Sequence, residues 1–393
     1  MDLLTENHLS SLATTRQPDC VTLLMTARGA GAEADPIQWK NLLNEAEATL
    51  IARGARGPAA REFLRPARAL LSDGDFWRGP AGGLAFFIAG GVARAFRLTV
   101  PVEPVAVVAP RFFLKPLLPL AEAGGRYFLL TLSQNQVRLI RGSASRAEEV
   151  TLKGVPSSLE EALRTHDRDE PLEFHTHPAL GLGRRGAIFH GQGVGIDDAK
   201  DNLLRYFRAI DHGLHATLRG EKAPLILASV DYLWPLYREV NTYPRLLEQG
   251  IAGNAERLSV AELHERALEV VAPLLRAPRE KAAGLYARLA GTGRTAADLA
   301  ETVTACGQGR IETLFVAMDA ERWGRVDVPG GPVTLDEGRS TEGEDLLNVA
   351  ALDTLTHGGT VFAVPSAEVP GEGPLAAIYW LPHAGKKQAA AAP

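Results

Sequence analysis

From Tyr127 to Val230 the chain carries a pattern that few folds satisfy: three short apolar runs parted by polar turns, a long stretch without apolar period, an amphipathic helix, and a wholly apolar run. The runs are Tyr127-Phe-Leu-Leu-Thr-Leu-Ser, Val137-Arg-Leu-Ile and Glu148-Glu-Val-Thr-Leu, with Gln134-Asn135-Gln136 turning between the first two. Short strands joined by tight polar turns predict an antiparallel meander. Between Asp198 and Leu218, apolar residues at 203, 204, 207, 210, 214 and 218 keep helical spacing and predict one long helix. Pro224-Leu-Ile-Leu-Ala-Ser-Val then reads as a strand buried on both faces. Between meander and helix, from about Ser158 to Gly195, periodicity fades and Gly, His, Arg and Pro accumulate, which predicts a long irregular loop. Meander, loop, helix and strand together predict an α/β domain.

The pattern starts at Gly124-Gly125, and the flanking segments differ from it. Upstream, an apolar run at Val21 to Met25 precedes a stripe of Ile37, Leu42, Leu43, Ala46, Leu50 and Ile51, an amphipathic helix stopped by Gly54. A second helix from Pro58 and short runs at Phe86 to Ala89, Ala95 to Val100 and Val105 to Val108 make this first segment α+β. Downstream, Ser259-Val-Ala-Glu262 is a capping box, and Pro273 and Pro278 are expected to bend or break the helix that follows. Thereafter helix from Thr295, strand Ile311 to Met318, helix Glu342 to His357, and strands Thr360 to Val364 and Ala376 to Trp380 alternate as a third, α/β, domain. A chain of 393 residues accommodates this division. The expected boundaries are 1–123, 124–272 and 273–384, with a disordered tail over 385–393.

Composition narrows the function classes. With 46% hydrophobic and 23% charged residues, neither wholesale disorder nor a fibrous repeat fits. A net charge of -5 requires any nucleic-acid contact to come from a local basic face. Cys20 and Cys306 are the two cysteines, too few for a disulfide framework or a Cys-based zinc site, which favours a reducing, cytoplasmic compartment. Neither a secretion signal nor a membrane anchor is read in the sequence. Gly181-Leu-Gly-Arg-Arg-Gly186 fits G-x-G-x-x-G, but it follows His-Pro-Ala and precedes Ala-Ile-Phe-His, the wrong setting for a dinucleotide fold. Gly291-Thr-Gly-Arg-Thr295 lacks the P-loop lysine, and Thr295 reads instead as an N-cap with Asp298 at N3. No Gly-x-Ser-x-Gly elbow is present. No cofactor is called for.

Two constellations in the long loop bear chemistry. In Phe189-His-Gly-Gln-Gly-Val-Gly195, alternate glycines free the backbone and leave the Gln192 amide projecting between Gly191 and Gly193. Such a tip presents N–H groups and one amide to a scissile ester and its water, or is an ordinary turn. Arg184, Arg185, Lys200, Arg205 and Arg208 surround it with positive charge suited to phosphate, although Asp197, Asp198, Asp201 and Asp211 dilute that charge. Separately, His175, His177 and His190 with Asp197 or Asp198 offer metal-ligating atoms at a spacing that belongs to no defined motif, with solvated loop histidines as the plainer reading.

Several of these segments, taken in order, resemble the archaeo-eukaryotic peptide-chain release factor and Pelota superfamily, in particular its bacterial branch. The meander Tyr127 to Leu152, the Gly191-Gln192 pair, the helix from Asp198 and the strand Leu225 to Val230 follow that superfamily's ribonuclease-H-like middle domain. Val230-Asp-Tyr-Leu and Tyr237-Arg-Glu-Val-Asn-Thr-Tyr-Pro244 are similar to the bacterial branch. Gly309-Arg-Ile-Glu-Thr-Leu-Phe-Val316, Gly358-Gly-Thr-Val-Phe and Gly371-Glu-Gly-Pro-Leu-Ala-Ala-Ile-Tyr379 resemble its third domain, which is related to kink-turn RNA-binding ribosomal proteins. The resemblance implies an N-terminal α+β module, a ribonuclease-H-like middle domain and a kink-turn-protein-like α/β third domain. It further implies a ribosome, tRNA or ribosomal RNA partner, with a translational GTPase as a further candidate. Gln192, Gly191 and Gly193 would then be catalytic toward a peptidyl-tRNA ester, and Arg184, Arg185, His190, Lys200, Arg205 and Arg208 would meet RNA. Two departures bear on activity. The family's Gly-Gly-Gln is here His190-Gly191-Gln192, and its codon-reading Asn-Ile-Lys-Ser is absent, so rescue or hibernation is favoured over termination. A non-catalytic binder using the same loop, and a metal-dependent phosphodiesterase on the same scaffold, stay open as alternatives.

Overall fold

The computed structural model describes residues 2–4, 6–29, 33–79, 81–98, 100–121, 126–143, 147–169 and 194–381; within these, the side chains of 2, 3, 6, 121, 165–169 and 194–198 are left out. The chain divides into two compact units, 1–125 with 276–393, and 126–275. It is a multi-unit α/β protein built on several sheets.

The first segment of unit 1 contains β1 (Asp2–Leu3), α1 (Glu6–Ala13), β2 (Arg16–Ala27), α2 (Ala34–Ala52), β3 (Gly82–Ala89), β4 (Val92–Leu98) and β5 (Val105–Arg111). They form one sheet of order β1-β4-β3-β2-β5, antiparallel except for the β1–β4 pair. Helix α2 covers one face with Trp39, Leu42, Leu43, Ala46 and Leu50, against Val21, Leu23, Met25, Phe86 and Val108 of the strands. The stripe expected from the sequence is therefore rotated. Ile37 and Ile51 lie 63% and 45% exposed, and Trp39, unassigned from the sequence, is its centre, with its indole N–H donating to the Ala67 carbonyl at 2.9 Å.

Unit 2 begins with β6 (Tyr127–Leu132), β7 (Val137–Gly142) and β8 (Ala147–Val150), antiparallel neighbours in the expected meander. Helix α3 (Leu159–Asp169) follows, then α4 (Val194–Leu218), β9 (Leu225–Ser229), α5 (Leu233–Val240), β10 (Ile251–Ala252) and α6 (Val260–Leu289), which runs past residue 275. Strand β9 pairs parallel with β6 and β10 parallel with β9, so the order is β10-β9-β6-β7-β8. One face of this sheet packs on α4 and α5, and the other on Leu263, Ala267 and Val271 of α6. One expectation fails here. Helix α3 occupies the start of the stretch expected to be irregular, where Glu161 N–H donates to the Ser158 hydroxyl at 3.2 Å as an N-cap. Helix α6 continues through Pro273 and Pro278.

The last segment supplies β11 (Thr295–Ala296), α7 (Leu299–Gly307), β12 (Ile311–Ala317), β13 (Trp323–Val326), β14 (Val333–Leu335), β15 (Glu344–Asp345), α8 (Leu346–Thr356), β16 (Thr360–Val364) and β17 (Leu375–Tyr379). The main sheet runs β11-β17-β12-β16, with β12 parallel to β16 and antiparallel to β17, beside a small β14-β13-β15 sheet. Trp323 and Leu352 enter the same core as Leu12, Phe87, Phe113 and Leu114, which joins this segment to the first.

Candidate functional site

Helix α4 sets the geometry of the best-defined candidate site. Leu203, Phe207, Ile210 and Leu214 are buried against Phe128, Leu130, Leu139 and Leu227 of the sheet, so the opposite arc must face outward. On that arc Arg205, Arg208, His212, His215 and Arg219 follow at steps of three and four residues, and all five are exposed. Lys200 is also exposed, but it stands five residues and hence about 140° around the helix from Arg205, off this row. Among the described side chains, Asp201 is the one carboxylate in the row, a turn ahead of Arg205.

Beside the row lies a cavity of about 640 Å³, lined by Gly154, Val155 and Pro156, by Glu161 and Ala162 of α3, and by Arg205, Tyr206, Arg208 and Ala209 of α4. Its wall depends on two glycines. Gly154 has φ of +70°, a conformation that other residues adopt with strain. Gly213 lets that turn lie directly on α4: a Cβ there would meet the Gly154 carbonyl at 3.0 Å and collide with the Val155 side chain. Within the lining, Glu161 accepts hydrogen bonds from the Ser157 N–H at 2.7 Å and the Ser157 hydroxyl at 2.5 Å, which hold its carboxyl below the usual range. Tyr206 donates its hydroxyl to the Ser133 carbonyl at 3.2 Å, and burial raises its phenol pKa. Arg205 and Arg208 have no ion-pair partner among the described residues, leaving them as the two cationic groups directed at this space. Such an arrangement suits an anion, and the described lining residues include no nucleophile–base pair.

Residues 127–273 match the family model of bacterial archaeo-eukaryotic release factor family 7. Over this middle segment the chain is similar to that release-factor family. A comparison with curated proteins found no match. Among solved structures, the chain is similar to the archaeal translation termination factor aRF1 at 15% identity and TM-score 0.24, covering 96% of this chain and 99% of that one. Archaeal Pelota, from a structure described as ribosome-bound Pelota and ABCE1, gives 13% and 0.38 over 97% and 95%. Dom34 of S. cerevisiae, described as a translation termination-like factor interacting with Hbs1, gives 11% and 0.36 over 76% and 79%. Scores below 0.5 do not establish a shared arrangement of the whole chain.

Within this middle segment, the residues expected to act divide into two groups. Arg184, Arg185, His190, Gly191, Gln192 and Gly193 lie outside the described residues, as do His175, His177 and the side chains of Asp197 and Asp198. Among the rest, the fold brings Arg205 and Arg208 together at the cavity and leaves Lys200 apart. Among the described residues no cluster of three His, Cys, Asp or Glu side chains is placed to hold a metal ion. Cys20 and Cys306 are buried, and burial pushes their thiols up to about 11 and about 12, far from the reactive thiolate range. Sequence reasoning missed His212, His215 and Arg219 as extensions of the arginine pair, although the three-and-four spacing from Arg205 marks them. Gly154 and Glu161 carried no such signal, since only the packing of α3 on α4 makes them neighbours of the arginines.

Proposed function

We propose that this protein is a ribosome- or tRNA-associated translation factor of the rescue or hibernation type, working in the cytoplasm. The family match over residues 127–273 carries the reading. In it, residues 1–123, 124–272 and 273–384 act as an α+β module, a ribonuclease-H-like domain and a kink-turn-protein-like domain. The antiparallel β6–β7–β8 meander with β9 parallel to β6 supports the second assignment. The sheet in which β12 lies between β16 and β17 supports the third. Among the described residues no helix is long and apolar enough to cross a membrane.

In the catalytic form of this reading, the Gln192 amide and the Gly191 and Gly193 backbone orient water at the peptidyl-tRNA ester. Arg184, Arg185, His190, Lys200, Arg205 and Arg208 meet RNA, and a translational GTPase is a candidate for delivery. The test is co-sedimentation with ribosomes through a sucrose cushion at low and moderate salt, followed by peptidyl-tRNA hydrolysis with wild type and Gln192→Ala. Saturable binding with hydrolysis lost in the variant is expected; hydrolysis unchanged in Gln192→Ala removes the catalytic role. A second reading, favoured by His190 standing where the family has glycine, is that the loop binds without cleaving. It requires ribosome binding that survives Gln192→Ala and no ester cleavage by either protein.

A further inference from the structure

We infer that the cavity between α3 and α4 seats one phosphate of an RNA strand, and that the outer row of α4 carries the strand onward. The first observation is the cavity: about 640 Å³, within the size range of small-ligand sites, with Arg205 and Arg208 at its edge. A buried or paired arginine would be accounted for by the fold, but neither of these has an ion-pair partner among the described residues. The one carboxylate among the described lining residues, Glu161, is engaged by Ser157. Guanidiniums without an ion-pair partner among the described residues, at a concave surface, suit phosphate, whose oxygens match their planar donors.

The second observation is independent of the cavity. His212, His215 and Arg219 prolong the row along the same face, giving five cation-capable side chains over about 21 Å of helix. A helix favours cations near its C-terminus, which accounts for His215 in the last turn and Arg219 just beyond it. That effect does not reach Arg205 and Arg208, which lie in mid-helix. A free nucleotide needs the arginine pair alone, whereas a strand uses the whole row, and the continuity of the row favours the strand. This deepens the translation-factor reading and rests on it for the identity of the polyanion.

The test is direct binding by the full chain, with a labelled single-stranded oligoribonucleotide of about ten nucleotides, within the span of known strand sites, and with 5′-AMP as the free nucleotide. Removing two phosphate contacts in Arg205→Gln/Arg208→Gln is expected to flatten the slope of log affinity against log salt for the oligomer by about 1.4, and Arg219→Gln by about 0.7. An oligomer affinity unchanged in the double variant overturns the site. Equal losses for 5′-AMP and oligomer in the double variant, with Arg219→Gln silent for both, overturn the strand and assign the cavity to a free nucleotide. The two readings fail separately. Ribosome co-sedimentation with no effect of the double variant on RNA binding refutes this track alone, whereas RNA binding through these arginines without co-sedimentation refutes the ribosome reading alone.

Discussion

His264 and Tyr127 form a pH-sensitive contact in unit 2. The phenol hydroxyl and the imidazole Nδ1 are 2.6 Å apart, with the rings 7° from parallel. Burial lowers the imidazole from its ordinary 6.5 and pushes the phenol up to about 12, so both are neutral near pH 7. In the tautomer protonated at Nε2, the neutral ring accepts a hydrogen bond from the Tyr127 hydroxyl at Nδ1. Because the folded state disfavours the imidazolium, the unfolded chain binds more protons below 6.5. The stabilising contribution is therefore complete above that value and is lost as pH falls through the lower folded value. Denaturant unfolding of unit 2 should show stability falling as pH drops below about 6.5. His264→Gln, which keeps an acceptor but does not titrate, should remove this part of the pH slope; an unchanged slope would place the effect elsewhere. The same ring explains Gly142, where any Cβ collides with Tyr127, so Gly142→Ala should cost about 1–3 kcal/mol in the same assay.

At the scale of elements, the chain's own signals located most strands and helices but not all their ends. The Ser259 capping box is present as expected: Ser259 N–H donates to Glu262 Oε2 at 2.8 Å, and Glu262 N–H to the Ser259 hydroxyl at 3.3 Å. Thr295 was an equally good cap by sequence, but Thr295 and Ala296 pair with Ile378 and Ala377 of β17, and the helix waits for Asp298. Asp298 accepts from the Glu301 N–H at 2.8 Å. Both positions satisfy local capping chemistry, and a partner strand some eighty residues away, at Ala377 and Ile378, decides between them. Likewise Glu344 and Asp345 pair with β13, so α8 starts at Leu346 rather than Glu342. The meander was legible because each strand alternates or runs apolar between polar turns. Helix α3 was not, since Leu159 and Ala162 are its contribution to the core and charged residues dominate its surface. The cavity was illegible for the same reason, while the arginine pair that lines it was readable from charge alone. Asp298→Ala should lower the stability of unit 1 by about 1 kcal/mol, the usual value of an N-cap, and Thr295→Ala should cost clearly less. Equal losses in thermal unfolding would return the cap to Thr295.

At the scale of the whole molecule, unit 1 is assembled from segments that flank unit 2 in sequence, and a buried polar clamp binds them. Arg111 meets Glu344 at 3.1 Å and Asp353 at 2.8 Å, Arg16 meets Asp353 at 2.8 Å, and Lys115 meets Asp345 at 2.7 Å. Three cations thus face three carboxylates, and only Arg16 among them is substantially exposed, at 42% of its side chain. Asn348 adds an amide bridge, accepting from the Leu114 and Lys115 N–H groups and donating to the Phe112 carbonyl at 3.0 Å. Lys115 also donates to the Ala320 carbonyl. A buried ion pair of this kind adds little net stability over an apolar pair, yet removing one partner strands the other in a low dielectric. Lys115→Met leaves Asp345 without its counter-ion and should destabilise unit 1 by about 3–5 kcal/mol. Adding Asp345→Asn should recover part of that loss by removing the unpaired charge. Because the clamp joins both segments, hydrogen exchange over residues 16–27 and 311–317 should accelerate together in Lys115→Met, with the strands at 127–132 and 225–229 unaffected. Faster exchange in one segment alone would mean that the two fold independently and that the clamp only docks them.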